Sequence, residues 1–91
     1  MKKRVKLNIK GKVQGVWYRA SAKEVADKLN ITGWVKNEID GSVTIVAEGE
    51  EEQLREFIKW CHKGPANARV ESVTEEWSDW QDEFKVFKII Y

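Results

Sequence analysis

The stretch Val5–Lys10 alternates strictly, with Val5, Leu7 and Ile9 on one side and Lys6, Asn8 and Lys10 on the other. A period of two gives one apolar row and one polar row, so this stretch predicts a half-buried β-strand. From Gly11 to Arg19 the alternation breaks. The period then lengthens: Ala22, Val25, Ala26 and Leu29 fall on one stripe of a helix, and Lys23, Glu24, Asp27 and Lys28 on the opposite one. Ser21 is placed to cap the start of that helix, while Asn30 and the nearby Gly33 suit its end. A short strand over Gly33–Asn37 follows, then a turn at Glu38-Ile39-Asp40-Gly41, where Asp-Gly supplies the positive φ that hairpins use. Val43, Ile45 and Ala47 alternate along the returning strand.

A second helix begins where Glu50, Glu51 and Glu52 crowd one turn, the end at which the helix dipole favours negative charge. Leu54, Phe57, Ile58 and Cys61 follow at helical spacing and form a core-facing stripe. Lys63 suits the last turn, and Gly64-Pro65 stops the helix. The next strand runs through Ala68–Val73, its alternation slipping between Val70 and Val73 as a β-bulge would make it. Ser78–Glu83 is a polar connection carrying Trp80, and Phe84–Tyr91 a final strand. The order is βαββαββ. Strands and helices that each show one apolar face predict an α+β, ferredoxin-like sandwich: two helices on one face of a mainly antiparallel four- to five-stranded sheet. With no repeat, low-complexity tract or linker, residues 1–91 are expected to form a single domain around one core.

Composition narrows the partners. The 42% apolar share with five Trp implies real burial. A net charge of +1 offers no electrostatic basis for nucleic acid or an anionic membrane as the main partner. Met1-Lys2-Lys3-Arg4 runs straight into a strand pattern, unlike a signal peptide, and no segment has the length of a bilayer span. Cys61 is the one cysteine, which excludes an internal disulfide framework and, with no secretory signal, places the expectation in the cytoplasm.

The candidate chemistry lies in the break, Gly11-Lys12-Val13-Gln14-Gly15-Val16-Trp17-Tyr18-Arg19. A glycine-containing loop between a strand and a helix can turn successive backbone N–H groups inward beside a positive helix terminus, a concavity that suits phosphate. Gly11 and Gly15 permit close approach, and Arg19 offers a charged fork matching two phosphate oxygens. The same residues also read as a plain connection with Arg19 solvated, and the loop alone leaves both readings open.

The run resembles the acylphosphatase signature, in which Gly-x-Val-Gln-Gly-Val-x-Phe-Arg joins the first strand to the first helix. Gly33-Trp34-Val35-Lys36-Asn37, with Asp40-Gly41-Ser42-Val43, is similar to the family's second block, and Gly64-Pro65 with Ala68 and Val70 to a third. The resemblance covers nearly the whole chain. It implies a hydrolase that cleaves the carboxyl–phosphate bond of small acyl phosphates, releasing a carboxylate and inorganic phosphate. It places the phosphate-binding arginine at Arg19 and the water-orienting asparagine at Asn37. The amides that hold the phosphate would belong to Gly11, Lys12, Val13, Gln14, Gly15, Val16, Trp17 and Tyr18. Tyr18 stands where the family usually has Phe; it is expected to pack beneath the loop, with a hydroxyl that needs a partner. Lys12 and Lys36 replace frequent arginines at positions expected to be exposed.

This chemistry needs few groups. The sequence lacks an acid–base pair near the loop, yet an acyl phosphate leaves as a weakly basic carboxylate and needs no strong general acid. Holding the phosphoryl group, neutralising its charge and placing a water in line suffice. Asn37 can orient water because its amide both donates and accepts; a phosphate oxygen of the substrate is the favoured proton acceptor. No metal-ligand cluster or Walker-type ending appears, so no metal and no cofactor is expected. The loop leaves the acyl part unspecified, implying broad selectivity, and a compact domain with no apolar excess is expected to be a monomer.

Two other classes share the topology. An RNA-binding βαββαβ module lacks support, since no Lys/Arg-Gly-Phe-Gly-Phe-like run supplies stacking aromatics. A non-catalytic acylphosphatase-like domain is disfavoured by the presence of both Arg19 and Asn37. Other tempting residues have plain explanations. Cys61 and His62 are helix neighbours pointing about 100° apart, so they do not converge; Cys61 suits the core and His62 the helix dipole. Glu50–Glu52 are helix-start acids rather than a metal patch. Trp34 is expected in the core by the family pattern, and Trp60, Trp77 and Trp80 in the core or at its rim. Trp17 either shields the site or covers the loop from outside.

Overall fold

Val5, Leu7 and Ile9 are fully buried in the computed structural model, which describes residues 1–91. Their strand, β1 (Lys2–Lys12), pairs antiparallel with β3 (Val43–Glu50) in a register that opposes Val5 to Ala47, Leu7 to Ile45 and Ile9 to Val43. Both apolar rows therefore face one side. On that side lie α1 (Tyr18–Lys28), packed over β2 (Thr32–Asn37) and β5 (Phe87–Ile90), and α2 (Glu51–Lys63), packed over β1, β3 and β4 (Arg69–Asp79). Leu54, Phe57, Ile58 and Cys61 of α2, with Ala22 and Ala26 of α1, close the core, and Val25 and Leu29 pack at its margin. The sheet order is β4-β1-β3-β2-β5, antiparallel except for the β2–β5 pair. This is the ferredoxin-like α+β sandwich that the sequence pattern predicts. No helix is long and apolar enough to cross a membrane.

The bulge falls where the alternation slipped. Lys10 opposes Ser72 but Gly11 opposes Val70, so Glu71 is the extra residue of β4. The bulge draws the two strands together: a Cβ on Gly11, whose φ is +129°, would be driven into the Arg69 carbonyl oxygen.

Four expectations need correction. β4 runs on to Asp79 because β1 already begins at Lys2 and Lys3 pairs with Asp79; beyond Val73 only Trp77 of this edge strand packs against the core, so little apolar pattern announces its length. The last strand starts at Phe87, not Phe84. Phe84 instead lies under the Arg4 guanidinium, 5.2 Å from ring centroid to Cζ. Trp34 is half-buried rather than in the core: Val35 opposes Ile45 on the helix side, so Trp34, opposite Val46, faces the other way. Ser21 is no cap, since α1 begins three residues earlier, at Tyr18.

The sheet's other face is partly covered by the chain between β4 and β5. Glu48 is buried there and accepts hydrogen bonds from the Gln81 N–H (2.8 Å) and the Glu83 N–H (3.1 Å), while Arg4 pairs with both Glu48 and Glu83. That carboxylate fixes the path by which the chain reaches β5, and hence where the C-terminus emerges.

Candidate active site

The site begins where the β1 ladder ends. Gly11 and Lys12 are still paired with Val70 and Arg69, so the chain leaves the sheet only after Lys12. Val13 turns into the core. Gln14 then anchors the loop sideways: its amide Nε2 donates to the carbonyls of Glu38 (2.8 Å) and Ser42 (2.9 Å), tying the loop to the β2–β3 turn. The turn is itself braced, since the Asp40 carboxylate accepts from the Ser42 hydroxyl (2.6 Å) and N–H (2.9 Å). Those bonds, the hydroxyl's first, hold the Asp40 carboxyl below its ordinary range.

Two left-handed residues complete the loop, Gly15 at φ 74° and Trp17 at φ 66°, with Val16 buried between them. The conformation at Trp17 starts α1 directly. The helix has no side-chain cap and no acidic residue in its first turn. The first N–H groups of a helix lack intrahelical partners, so this end presents unsatisfied donors and a partial positive charge.

Tyr18, 1% exposed, secures the helix start from beneath. Its hydroxyl donates to the Cys61 carbonyl at 2.7 Å, and its ring lies 5.2 Å from Trp60. That carbonyl is among the last four of α2, which need a hydrogen-bond donor from outside the helix. The partner expected for Tyr18 is thus a backbone group, and it links the two helices. Burial holds the phenol well above its ordinary pKa and pushes the Cys61 thiol up to about 12. Cys61 is buried in the core and His62 exposed.

A cleft of about 270 Å³ opens over the helix start. Val13 and Gly15 border it from the loop, and Trp17, Tyr18, Arg19 and Ala20 from the helix. Asn37, the last residue of β2, enters from the sheet, as do Ile89 of β5 and Tyr91 just after it. Arg19 takes part in no ion pair. Its guanidinium sits 4.9 Å from the ring centroid of Tyr91. Asn37 pairs with Val43, on the face that carries Ile9, and its Oδ1 is buried without a hydrogen-bond partner. A buried, unpaired amide oxygen costs free energy unless something donates to it. The cleft therefore joins an unneutralised guanidinium, an open helix terminus and an unsatisfied acceptor, a set suited to an oxyanion and a water.

The ten sequence candidates divide. Trp17, Tyr18, Arg19, Asn37, Val13 and Gly15 border the cleft. Gly11 and Lys12 lie in the strand ladder, Gln14 spends its side chain on the turn, and Val16 is buried. Ala20, Ile89 and Tyr91 escaped sequence reasoning. The alternation Phe87, Ile89, Tyr91 was visible, but only the parallel register opposing Val35 to Ile89 brings it beside Asn37.

The acylphosphatase family model matches residues 5–89. The acylphosphatase of Legionella pneumophila (strain Corby) is 53% identical over 74 residues, 81% of each chain. That of Salinibacter ruber (strain DSM 13855 / M31) is 47% identical over 87 residues, 96% of this chain and 92% of its own. The crystal structure of acylphosphatase from Bacillus subtilis superposes with a TM-score of 0.95 at 34% identity, covering both chains fully. The strand-to-helix loop and its cleft thus belong to a chain that is a member of the acylphosphatase family, and an enzyme of that kind.

Proposed function

We propose that the protein hydrolyses acyl phosphates at this cleft, with Arg19 and the amides at the start of α1 holding the phosphoryl group and Asn37 orienting the attacking water. The observation that carries the reading is the pairing, in one cleft, of an Arg19 without an anionic partner and an Asn37 whose buried Oδ1 lacks a donor. A bound phosphate gives the guanidinium its counter-charge, and a water gives Oδ1 its hydrogen bond.

In the proposed reaction the water oxygen attacks phosphorus opposite the carboxylate oxygen. The bond from phosphorus to that oxygen breaks, and its electron pair leaves on the carboxylate. The water's proton passes to a phosphate oxygen, so the products are a carboxylate and inorganic phosphate. No side chain need protonate the leaving group, because a carboxylate is a weak base. What the residues contribute is position and preorganised charge, each worth most where charge is shared between entering and leaving oxygens.

The test is phosphate release from acetyl phosphate. Arg19→Ala is expected to lower kcat/KM by about 10²- to 10³-fold, as loss of a main oxyanion donor does, and to abolish inhibition by inorganic phosphate. Asn37→Ala is expected to retain phosphate inhibition while kcat falls. Turnover by Asn37→Ala equal to wild type would remove the water-positioning role, and turnover untouched by Arg19→Ala would remove the site.

A further inference from the structure

Trp17 stands where a bulky residue is unfavourable. Its φ of 66° lies in the left-handed region, which side chains other than Gly, Asn and Asp seldom enter. The residue is 78% exposed, so burial in the core does not offset that strain. Strain kept at the rim of a cleft points to a role in the cleft. A second unburied ring, Tyr91, borders the same cleft; it is 94% exposed and lies over the Arg19 guanidinium. Ile89 and Ala20 complete a largely apolar border around the two polar groups, Arg19 and Asn37. A phosphate held by Arg19 and the helix amides leaves the rest of the substrate to project between these walls. Apolar aromatic walls with few polar groups recognise apolar ligand parts.

We propose that Trp17 and Tyr91 form an acyl-group subsite, which makes the enzyme selective for acyl phosphates with an aromatic or extended apolar acyl chain over those of acetyl size. This rests on the hydrolytic reading above and replaces the broad acyl selectivity expected from the loop. Tyr91 has a second task here, since its ring steadies the Arg19 guanidinium through a cation–π contact.

The experiment compares kcat/KM for 3-phenylpropanoyl phosphate and acetyl phosphate, whose leaving carboxylates have nearly equal basicity, so binding rather than leaving-group chemistry separates them. Wild type is expected to prefer the phenylpropanoyl substrate by about 10-fold or more, the discrimination an apolar pocket can supply. Trp17→Gly, whose new residue suits the left-handed backbone, and Tyr91→Ala should each reduce that preference about 5-fold or more, mainly through KM. Trp17→Phe should restore most of it. Inhibition separates a subsite from general disturbance: 3-phenylpropylphosphonate should weaken as an inhibitor of Trp17→Gly far more than inorganic phosphate does. Equal weakening of both inhibitors, or a preference unchanged in Trp17→Gly and Tyr91→Ala, would overturn the subsite. A wild type that turns over both substrates without preference would do so too, and would leave the hydrolytic reading standing. A wild type that turns over neither would remove both.

Discussion

The two helices of this protein begin under opposite electrostatic arrangements. At α2 the positive end of the dipole is neutralised from within the chain. Glu51 and Glu52 occupy the first turn, Glu50 at the cap position pairs with the N-terminal ammonium at 2.9 Å, and the Glu51 N–H donates to the Met1 carbonyl. At α1 there is no acid, no side-chain cap and, in the first turn, a cation, Arg19. A guanidinium at the positive end of a helix is unfavourable by itself. The two ends also differ in what they face, since α2 begins under the N-terminus and α1 begins in the cleft. Neither start has a side-chain cap, but the acids that stabilise a helix start are present at one helix and withheld at the other. The withheld set is what an external anion would supply. α1 is held by other means: Gln14 pins the loop before it, and Tyr18 ties its first turn to the end of α2.

The strongest way to break this contrast is to give α1 the acid that α2 has. In Arg19→Glu a carboxylate replaces the cation at the helix start. Turnover of acetyl phosphate is expected to fall by about 10³-fold, from lost charge stabilisation and added repulsion. The helix itself gains, because the dipole term changes from unfavourable to favourable by about 1 kcal/mol while the Tyr91 contact, worth about half as much, is lost. A raised thermal midpoint together with lost turnover is the signature to look for. A variant that loses both would mean that Arg19 holds the fold and not only a ligand.

Ala20→Glu is the milder form of the same change. Ala20 is exposed and borders the cleft, so an acid there lies in the first turn of α1 with Arg19 still present. The KM for acetyl phosphate is expected to rise about 10-fold, the scale of one like-charge contact across a partly solvated site. Added salt should narrow the difference from wild type, because the Debye length shortens to about 3 Å at 1 M. A KM that ignores both the acid and the salt would separate the substrate's phosphate from the helix end.

Much of this architecture was written in the periodicities, and the exceptions share a cause. The rows Val5-Leu7-Ile9 and Leu54-Phe57-Ile58-Cys61 announce themselves because each has one buried face, and even the bulge at Glu71 left its trace as a slipped alternation. Trp34 misleads because its chemistry says core while its register, one residue from Val35, turns it to the other face. Arg19 was a candidate from the loop itself and Asn37 was named through the family resemblance, but their convergence depends on Asn37 closing β2 just where the β1–α1 loop passes. The contribution of Tyr91 was illegible, since it requires β5 to choose β2 as its partner and to run parallel to it. The left-handed turn at Trp17 was equally hidden, because nothing about a tryptophan signals that conformation. Local patterns declare faces; pairing partners and strained residues are settled by the whole fold.

Tyr18→Phe sharpens the contrast from below. The hydroxyl gives α1 a tether in place of a cap, and its removal leaves the Cys61 carbonyl without its partner. Stability is expected to fall by about 1 kcal/mol, read as a lower denaturant midpoint with an unchanged slope. The ring would remain, so its contact with Trp60 and the core should persist. No loss of stability would mean that water replaces the hydroxyl at a site that is 1% exposed.

The smallest effect is expected from the α2 side, with Glu51→Gln. Glu51 accepts from Arg55 at 2.9 Å on an exposed face, a pair of small worth that solvent and salt screen, and it supplies one of two acids to the dipole. The thermal midpoint should drop by less than in Tyr18→Phe and recover at high salt, while turnover stays that of wild type because α2 begins away from the cleft. The sign with pH follows from the Arg55 hydrogen bond, which holds the Glu51 carboxyl below its ordinary range. A group whose pKa is lowered by folding contributes stability above its unfolded pKa and loses that contribution as pH falls through the folded value. Wild type and Glu51→Gln should therefore differ near neutrality and converge in acid. If instead Glu51→Gln impaired turnover as Ala20→Glu is expected to, the two helix starts would be electrically coupled, and the division of labour between them would be lost.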